Sequence, residues 1–144
     1  MPNNEYDCLK LENQLCFPLY AAARNITSAY TPFLKPLGLT YTQYVVFLVL
    51  FDHPEINVGE LGKTLYLDSG TLTPLLKKME SEGYLTRHRS KEDERITIVN
   101  ITEKGLEMRE TLREVPAKVG CKLKLEPEEA KELYKLLYKV LGNN

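Results

Sequence analysis

"YLDSGTLTPLLKKMESEGYLTRHRSKEDERITIVNI", Tyr66 to Ile101, changes its hydrophobic period half-way through. Asp68-Ser69 is a helix-opening signal, because a short side-chain oxygen can accept one of the backbone N–H groups that the first turn leaves without a partner. After it, Leu72, Leu75, Leu76 and Met79 recur at three and four residues, which puts them on one helical face. The other face carries Ser69, Gly70, Thr71, Thr73, Lys77 and Lys78, which are small, hydroxylic or basic. Beyond Gly83 the pattern alternates. Leu85–Arg89 and Ile96–Ile101 read as two strands around a polar, highly charged turn from Ser90 to Arg95.

Upstream, Asn57-Val-Gly-Glu60 opens a short helix holding Val58, Leu61 and Leu65, so two helices joined by a tight turn run directly into a hairpin. A winged helix-turn-helix needs that order. The second helix enters the DNA major groove with its N-terminal residues against base edges, while an arginine on the wing reaches the minor groove. On this reading Asp68, Ser69, Thr71 and Thr73 face bases or the adjoining backbone, and Lys77 with Lys78 reaches phosphates. Arg87, Arg89, Asp93 and Arg95 form the wing's contact set, with Arg95 at the groove. The same pattern also suits a compact helical subdomain with a surface hairpin. Net charge is -1, so bulk electrostatics does not point to nucleic acid; only sorting of the basic and acidic residues between Lys77 and Arg95 onto different faces would.

The flanks are helical. Leu15, Leu19, Ala23, Ile26, Tyr30, Phe33, Leu34 and Leu37 predict one long amphipathic helix from Leu9 to about Pro36, beginning near Cys16 or bending there because of Pro18. A stripe of that length exceeds what a small core can cover, so a partner chain is the natural place to bury it. Thr40-Tyr-Thr-Gln43 is a capping box opening a largely buried helix that stops before Pro54. Thr102 caps a helix to about Glu114, broken by Pro116 and Gly120, and Glu126-Pro127 opens the last one. The chain has 144 residues, 43% hydrophobic and 27% charged, which fits one domain with a modest core. No secretory signal is evident, and the longest apolar run, Tyr44 to Phe51, is too short to span a bilayer; a cytoplasmic protein without a membrane partner is expected.

Three widely spaced cysteines, Cys8, Cys16 and Cys121, make no disulfide framework and, with His53 and His88, no metal-ligand spacing. No metal or other cofactor is expected. Cys16 lies in an apolar run, where a thiol is most often inert packing. The nine tyrosines offer another role, since phenol donors near a sulfur stabilise its anion and favour oxidation to a sulfenic acid. Tyr20, Tyr30 and Tyr41 fall in the same helical region as Cys16. Cys121, between two predicted helices, could condense with such an acid.

Three segments, "LENQLCFPLYAAAR", "GLTYTQY" and "LYLDSGTLTPLLKKMESEGYLTRHRSKEDERITIVNITEKG", closely resemble the organic-hydroperoxide-sensing repressors, the OhrR-type branch of the MarR family. The similarity runs from about Glu12 through Gly105 and continues more loosely to the C-terminus. Asp93-Glu94-Arg95 followed by Ile101-Thr102 and Gly105 resembles the general MarR wing signature. What the resemblance implies is a mainly α-helical, single MarR-type domain over residues 1–144. Dimerisation helices would occupy about 9–37 and 103–141, and a winged helix-turn-helix about 40–101.

The resemblance further implies a homodimer on a pseudo-palindromic DNA operator, its reading heads one helical turn apart, ~34 Å. Cys16 matches the peroxide-reactive cysteine, and Tyr30 and Tyr41, with Tyr20 as a third, match the tyrosines that cradle it across the dimer interface. Asp93 would orient Arg95. Some relatives resolve the oxidised sulfur with a cysteine near Cys121 of the other subunit, and others by a small thiol or by overoxidation. The function implied is repression relieved by organic hydroperoxide, with no enzymatic turnover. A MarR-type repressor released by reversible small-ligand binding, and a thiol peroxidase, are the alternatives; the latter leaves the wing unexplained.

Overall fold

A computed structural model describes residues 4–142. Two 3-10 turns, Asp7–Leu9 and Leu11–Asn13, precede α1, Cys16–Leu34. After a 3-10 turn at Lys35–Leu37 come α2 (Tyr41–Asp52), β1 (Glu55–Asn57), α3 (Val58–Leu65) and α4 (Ser69–Ser81). They are followed by β2 (Leu85–Arg89), β3 (Thr97–Ile101), α5 (Glu103–Leu112), α6 (Val115–Gly120), a 3-10 turn at Cys121–Leu123 and α7 (Pro127–Val140). The fold is mainly α-helical with a small antiparallel sheet, the winged helix-turn-helix expected from the period change at Gly83.

The caps are where the sequence puts them. Thr40 and Gln43 close a reciprocal capping box on α2, Asn57 accepts the Glu60 N–H at 2.7 Å, and Asp68 accepts the Thr71 N–H at 2.8 Å. Thr102 caps α5 by accepting the Gly105 N–H at 3.1 Å. Each cap satisfies a donor that the helix cannot satisfy internally.

α1 starts at Cys16, one of the two options that Pro18 left open, because Lys10 and Gln14 are extended and Pro18 falls in the first turn, where a missing N–H costs nothing. Two details differ from the sequence reading. Pro116 does not merely end a helix; it opens the short α6, again within the first turn. The wing also has a third strand. β1 pairs antiparallel with β3, Ile56 opposite Val99, giving the order β1-β3-β2, and its three residues are too few to show an alternating pattern.

One core joins the reading head to α1. Phe47, Leu50 and Val46 from α2 meet Leu61, Leu72, Leu76 and Met79 of α3 and α4, with Leu85 and Val99 of the wing beneath them. Leu34 of α1 and Leu112, Val115 and Val119 of α5 and α6 belong to the same cluster. By contrast, Leu15, Phe17, Leu19 and Tyr20 of α1 and Leu133, Leu136 and Val140 of α7 are exposed, and no residue of α7 is buried. Apolar faces of this extent on both terminal helices are more than a lone soluble chain ordinarily presents to water. Among the described residues no single helix is long and apolar enough to cross a membrane.

Candidate nucleic-acid interface and thiol site

Leu72, Leu76 and Met79 anchor the inner face of α4 in the core, which turns Ser69, Gly70, Thr71, Thr73, Lys77 and Lys78 outward. The turn before it is tight. Tyr66 takes left-handed geometry at φ 57°, and the Leu67 N–H donates to the Gly62 carbonyl at 2.9 Å. A Cβ on Gly62 would come within 2.8 Å of the Leu67 carbonyl oxygen, so only glycine allows α3 this close to the turn. The N–H of Thr71 donated to Asp68, with the Thr71 hydroxyl, holds the Asp68 carboxyl below the usual carboxylate range. Asp68 is therefore ionised at neutral pH and occupied as a cap.

The wing tip is internally braced. The Arg95 backbone N–H and Nε both donate to Asp93 Oδ1, at 3.0 and 3.1 Å, while Nη2 donates to Oδ2 at 3.2 Å. These bonds lower the Asp93 pKa and aim a guanidinium that stays 89% exposed. Arg89 donates through Nη1 to the Glu94 carbonyl at 2.8 Å, pinning the hairpin loop from its other side. Asp68, Ser69, Arg95 and Thr97 line one open groove of about 820 Å³ between the start of α4 and the wing, while Thr71, Thr73 and Lys77 lie outside it.

Arg87 stands apart from that set. Its backbone N–H donates to Glu80 Oε2 at 2.8 Å and its Nη2 to Oε1 at 3.1 Å, and its side chain is only 23% exposed. Glu80 was not among the residues singled out from sequence. Lying seven positions before Arg87, across a helix end and a turn, it offered no spacing signal.

The three thiols are free. Cys16, the first residue of α1, is exposed, as are Cys121 in its 3-10 turn and Cys8 near the N-terminus. Tyr30 and Tyr41 pack at 4.9 Å between ring centroids, and Tyr44 joins them at 5.2 and 5.9 Å. Burial raises the pKa of all three, Tyr44 to about 12, so each is a neutral hydroxyl donor at physiological pH. Tyr44 was absent from the sequence-based set, because its place in an unbroken apolar run reads as core. Within one chain Cys16 does not meet this cluster: fourteen helical positions separate it from Tyr30, about 21 Å along α1. Tyr20 is one turn from Cys16 but exposed, with the Arg24 guanidinium 5.5 Å above its ring.

Residues 28–112 match the family model of the SarA/Rot transcriptional regulators. Over 138 residues the chain is 46% identical to the organic hydroperoxide resistance transcriptional regulator of Bacillus subtilis (strain 168), covering 96% of this chain and 94% of that protein. The chain is an OhrR-type member of the MarR family of winged-helix transcriptional regulators. Among solved structures, overoxidised AbfR bound to DNA is 32% identical with a TM-score of 0.78, covering 96% of this chain and 98% of that one. Disulfide-formed AbfR is 33% identical, with 92% and 93% covered, and superposes less well, at 0.67.

Proposed function

We propose that this regulator is a homodimeric, cytoplasmic repressor that grips a pseudo-palindromic operator when reduced and lets go when organic hydroperoxide oxidises Cys16. The observation that carries the reading is the distance between Cys16 and the tyrosine cluster of its own chain. With the phenol cluster about 21 Å along α1 from the thiol of its own chain, the contact that the resemblance to the OhrR-type repressors implies has to come from a second copy. The exposed apolar faces of α1 and α7 supply the surface for such an association. In the dimer Tyr30 and Tyr41 of one subunit donate to the sulfur of the other, with Tyr20 of the sulfur's own chain one turn away.

The chemistry balances in two steps. The Cys16 sulfur attacks the O–O bond, becoming a sulfenic acid while the peroxide leaves as an alcohol. The Cys121 thiol of the partner subunit then displaces water from that acid and forms a disulfide. Pulling those two segments together strains the seam and changes the separation of the reading heads, and because both half-sites must be held at once, avidity falls steeply. AbfR has been solved overoxidised on DNA and, separately, in a disulfide form, so a relative of this chain takes more than one oxidised state.

The deciding experiment treats the protein with one equivalent of cumene hydroperoxide and weighs it intact without reductant. A dimer mass with a Cys16–Cys121 peptide supports the scheme. A monomeric adduct on Cys16 alone replaces it with the one-cysteine mode, and release that reverses on dialysis without thiol would instead indicate ligand binding.

A further inference from the structure

β2 is an edge strand, so its outward N–H groups have no strand neighbour, and the one on Arg87 is taken by Glu80 of the recognition helix. The same carboxylate receives the Arg87 guanidinium at 3.1 Å, so helix and strand are joined at two points through one side chain. The pair is sheltered, at 23% and 35% side-chain exposure, and Arg87 Nε is buried without a hydrogen-bond partner. The Arg87 Nη2 is therefore committed to Glu80 rather than presented to the groove beside α4. Beyond it the hairpin is stiffened by the Arg89 bond to Glu94 and the Asp93–Arg95 pair, and so moves as one lever.

We propose that Glu80 and Arg87 are positioning residues, a strut that fixes the angle between recognition helix and wing and so places Arg95 for the DNA it meets. This rests on the DNA-binding reading above and assigns Arg87 a role other than direct contact. From Arg87 to the level of Arg95 is about four residues of hairpin, about 13 Å at 3.3 Å each, so a tilt of about 10° at the strut moves Arg95 by about 2 Å. The minor groove is about 6 Å wide, and that displacement takes a guanidinium from its floor to its wall.

The test uses the full-length reduced dimer and a duplex that the unsubstituted protein selects from a random library. E80Q and R87M should each weaken binding by about tenfold, and E80Q/R87M by no more than either alone, as for two ends of one device. Hydroxyl-radical protection at the minor-groove flanks should vanish, while methylation protection under α4 remains. R87K should recover part of the loss. In an R95A background E80Q should cost less than twofold, because no wing arginine is left to place. Circular dichroism melting of each variant shows whether it is folded at the assay temperature.

Two results overturn the proposal. One is that E80Q binds as well as or better than the parent while R87M binds worse with a shallower salt slope, which makes Arg87 a phosphate contact. The other is an equal E80Q loss with and without Arg95, which makes the pair a general brace. If the unsubstituted protein selects no duplex, the DNA-binding reading fails, and this proposal with it.

Discussion

The Thr102 hydroxyl donates a 2.6 Å hydrogen bond to the Gly83 carbonyl and accepts the Gly105 N–H at 3.1 Å, so one side chain both ends the recognition segment and begins α5. Lys104 adds a second tie, its Nζ 2.6 Å from the Glu82 carbonyl and 5.0 Å from the Tyr84 ring centre. The reading head is therefore fastened to the helix that leads towards the C-terminal region. Replacing Thr102 by valine removes both bonds at nearly constant volume and should lower stability by about 1–2 kcal/mol, measured by urea denaturation.

Gly105 lies in the same joint. A Cβ there would overlap the Tyr84 carbonyl oxygen and come within 2.6 Å of Ile101 Cγ1, and neither the backbone nor a β-branched neighbour can easily move away. Gly105→Ala should destabilise by about 2–3 kcal/mol although alanine is the better helix former, and the melting temperature reports it.

Acid should loosen the reading head before the remainder of the core. Asp68, Glu80 and Asp93 each titrate below the ordinary carboxylate range, through hydrogen bonds from Thr71, Arg87 and Arg95 respectively. A carboxyl depressed by folding contributes stability that is complete above its unfolded pKa, about 4, and is lost as pH falls through the lower folded value. Amide protection factors in α4 and β2 should therefore fall below about pH 4, and less so in E80Q, which has one such group fewer.

Alkali acts on the tyrosines with the opposite sign. Tyr30, Tyr41 and Tyr44 are raised by burial, Tyr44 to about 12, so they favour the folded state fully below the unfolded value near 10. That contribution disappears as pH climbs from about 10 towards the folded values. Absorbance at about 295 nm should show a late-titrating group of phenols that coincides with unfolding, and Tyr44→Phe should shift unfolding to higher pH.

If phenol donors steady the sulfur during oxidation, Tyr30→Phe and Tyr41→Phe should each slow the reaction of Cys16 with cumene hydroperoxide. A hydrogen bond to a charged group contributes about 1.5–3 kcal/mol, so the loss should be about tenfold or more. Duplex affinity of the reduced proteins should stay within about twofold. Stopped-flow consumption of peroxide measures the first, fluorescence anisotropy the second, and an unchanged rate in both variants would remove the tyrosines from the mechanism.

What was legible in the chain was whatever repeats or caps. The four side-chain caps at Thr40, Asn57, Asp68 and Thr102 are local chemistry, and the period change at Gly83 marks helix giving way to hairpin. β1 was invisible because three residues establish no period and its partner Val99 lies more than forty positions away. The head's outward face followed from Leu72, Leu76 and Met79 pointing inward. That Arg87 turns to Glu80 did not, since charge alone leaves an arginine's partner undecided. The separation of Cys16 from Tyr30 depended on where α1 begins, and Pro18 left two starting points open until the extended Gln14 settled it.

α7 has no buried residue, yet Leu133, Leu136 and Val140 give it a continuous oily side. Fourteen residues are marginal as a free-standing helix in water, so this segment owes its order to contact with something else. Its helicity should accordingly track protein concentration: on serial dilution the C-terminal end would melt while Phe47 and its neighbours stay packed, and ellipticity would fall in two stages.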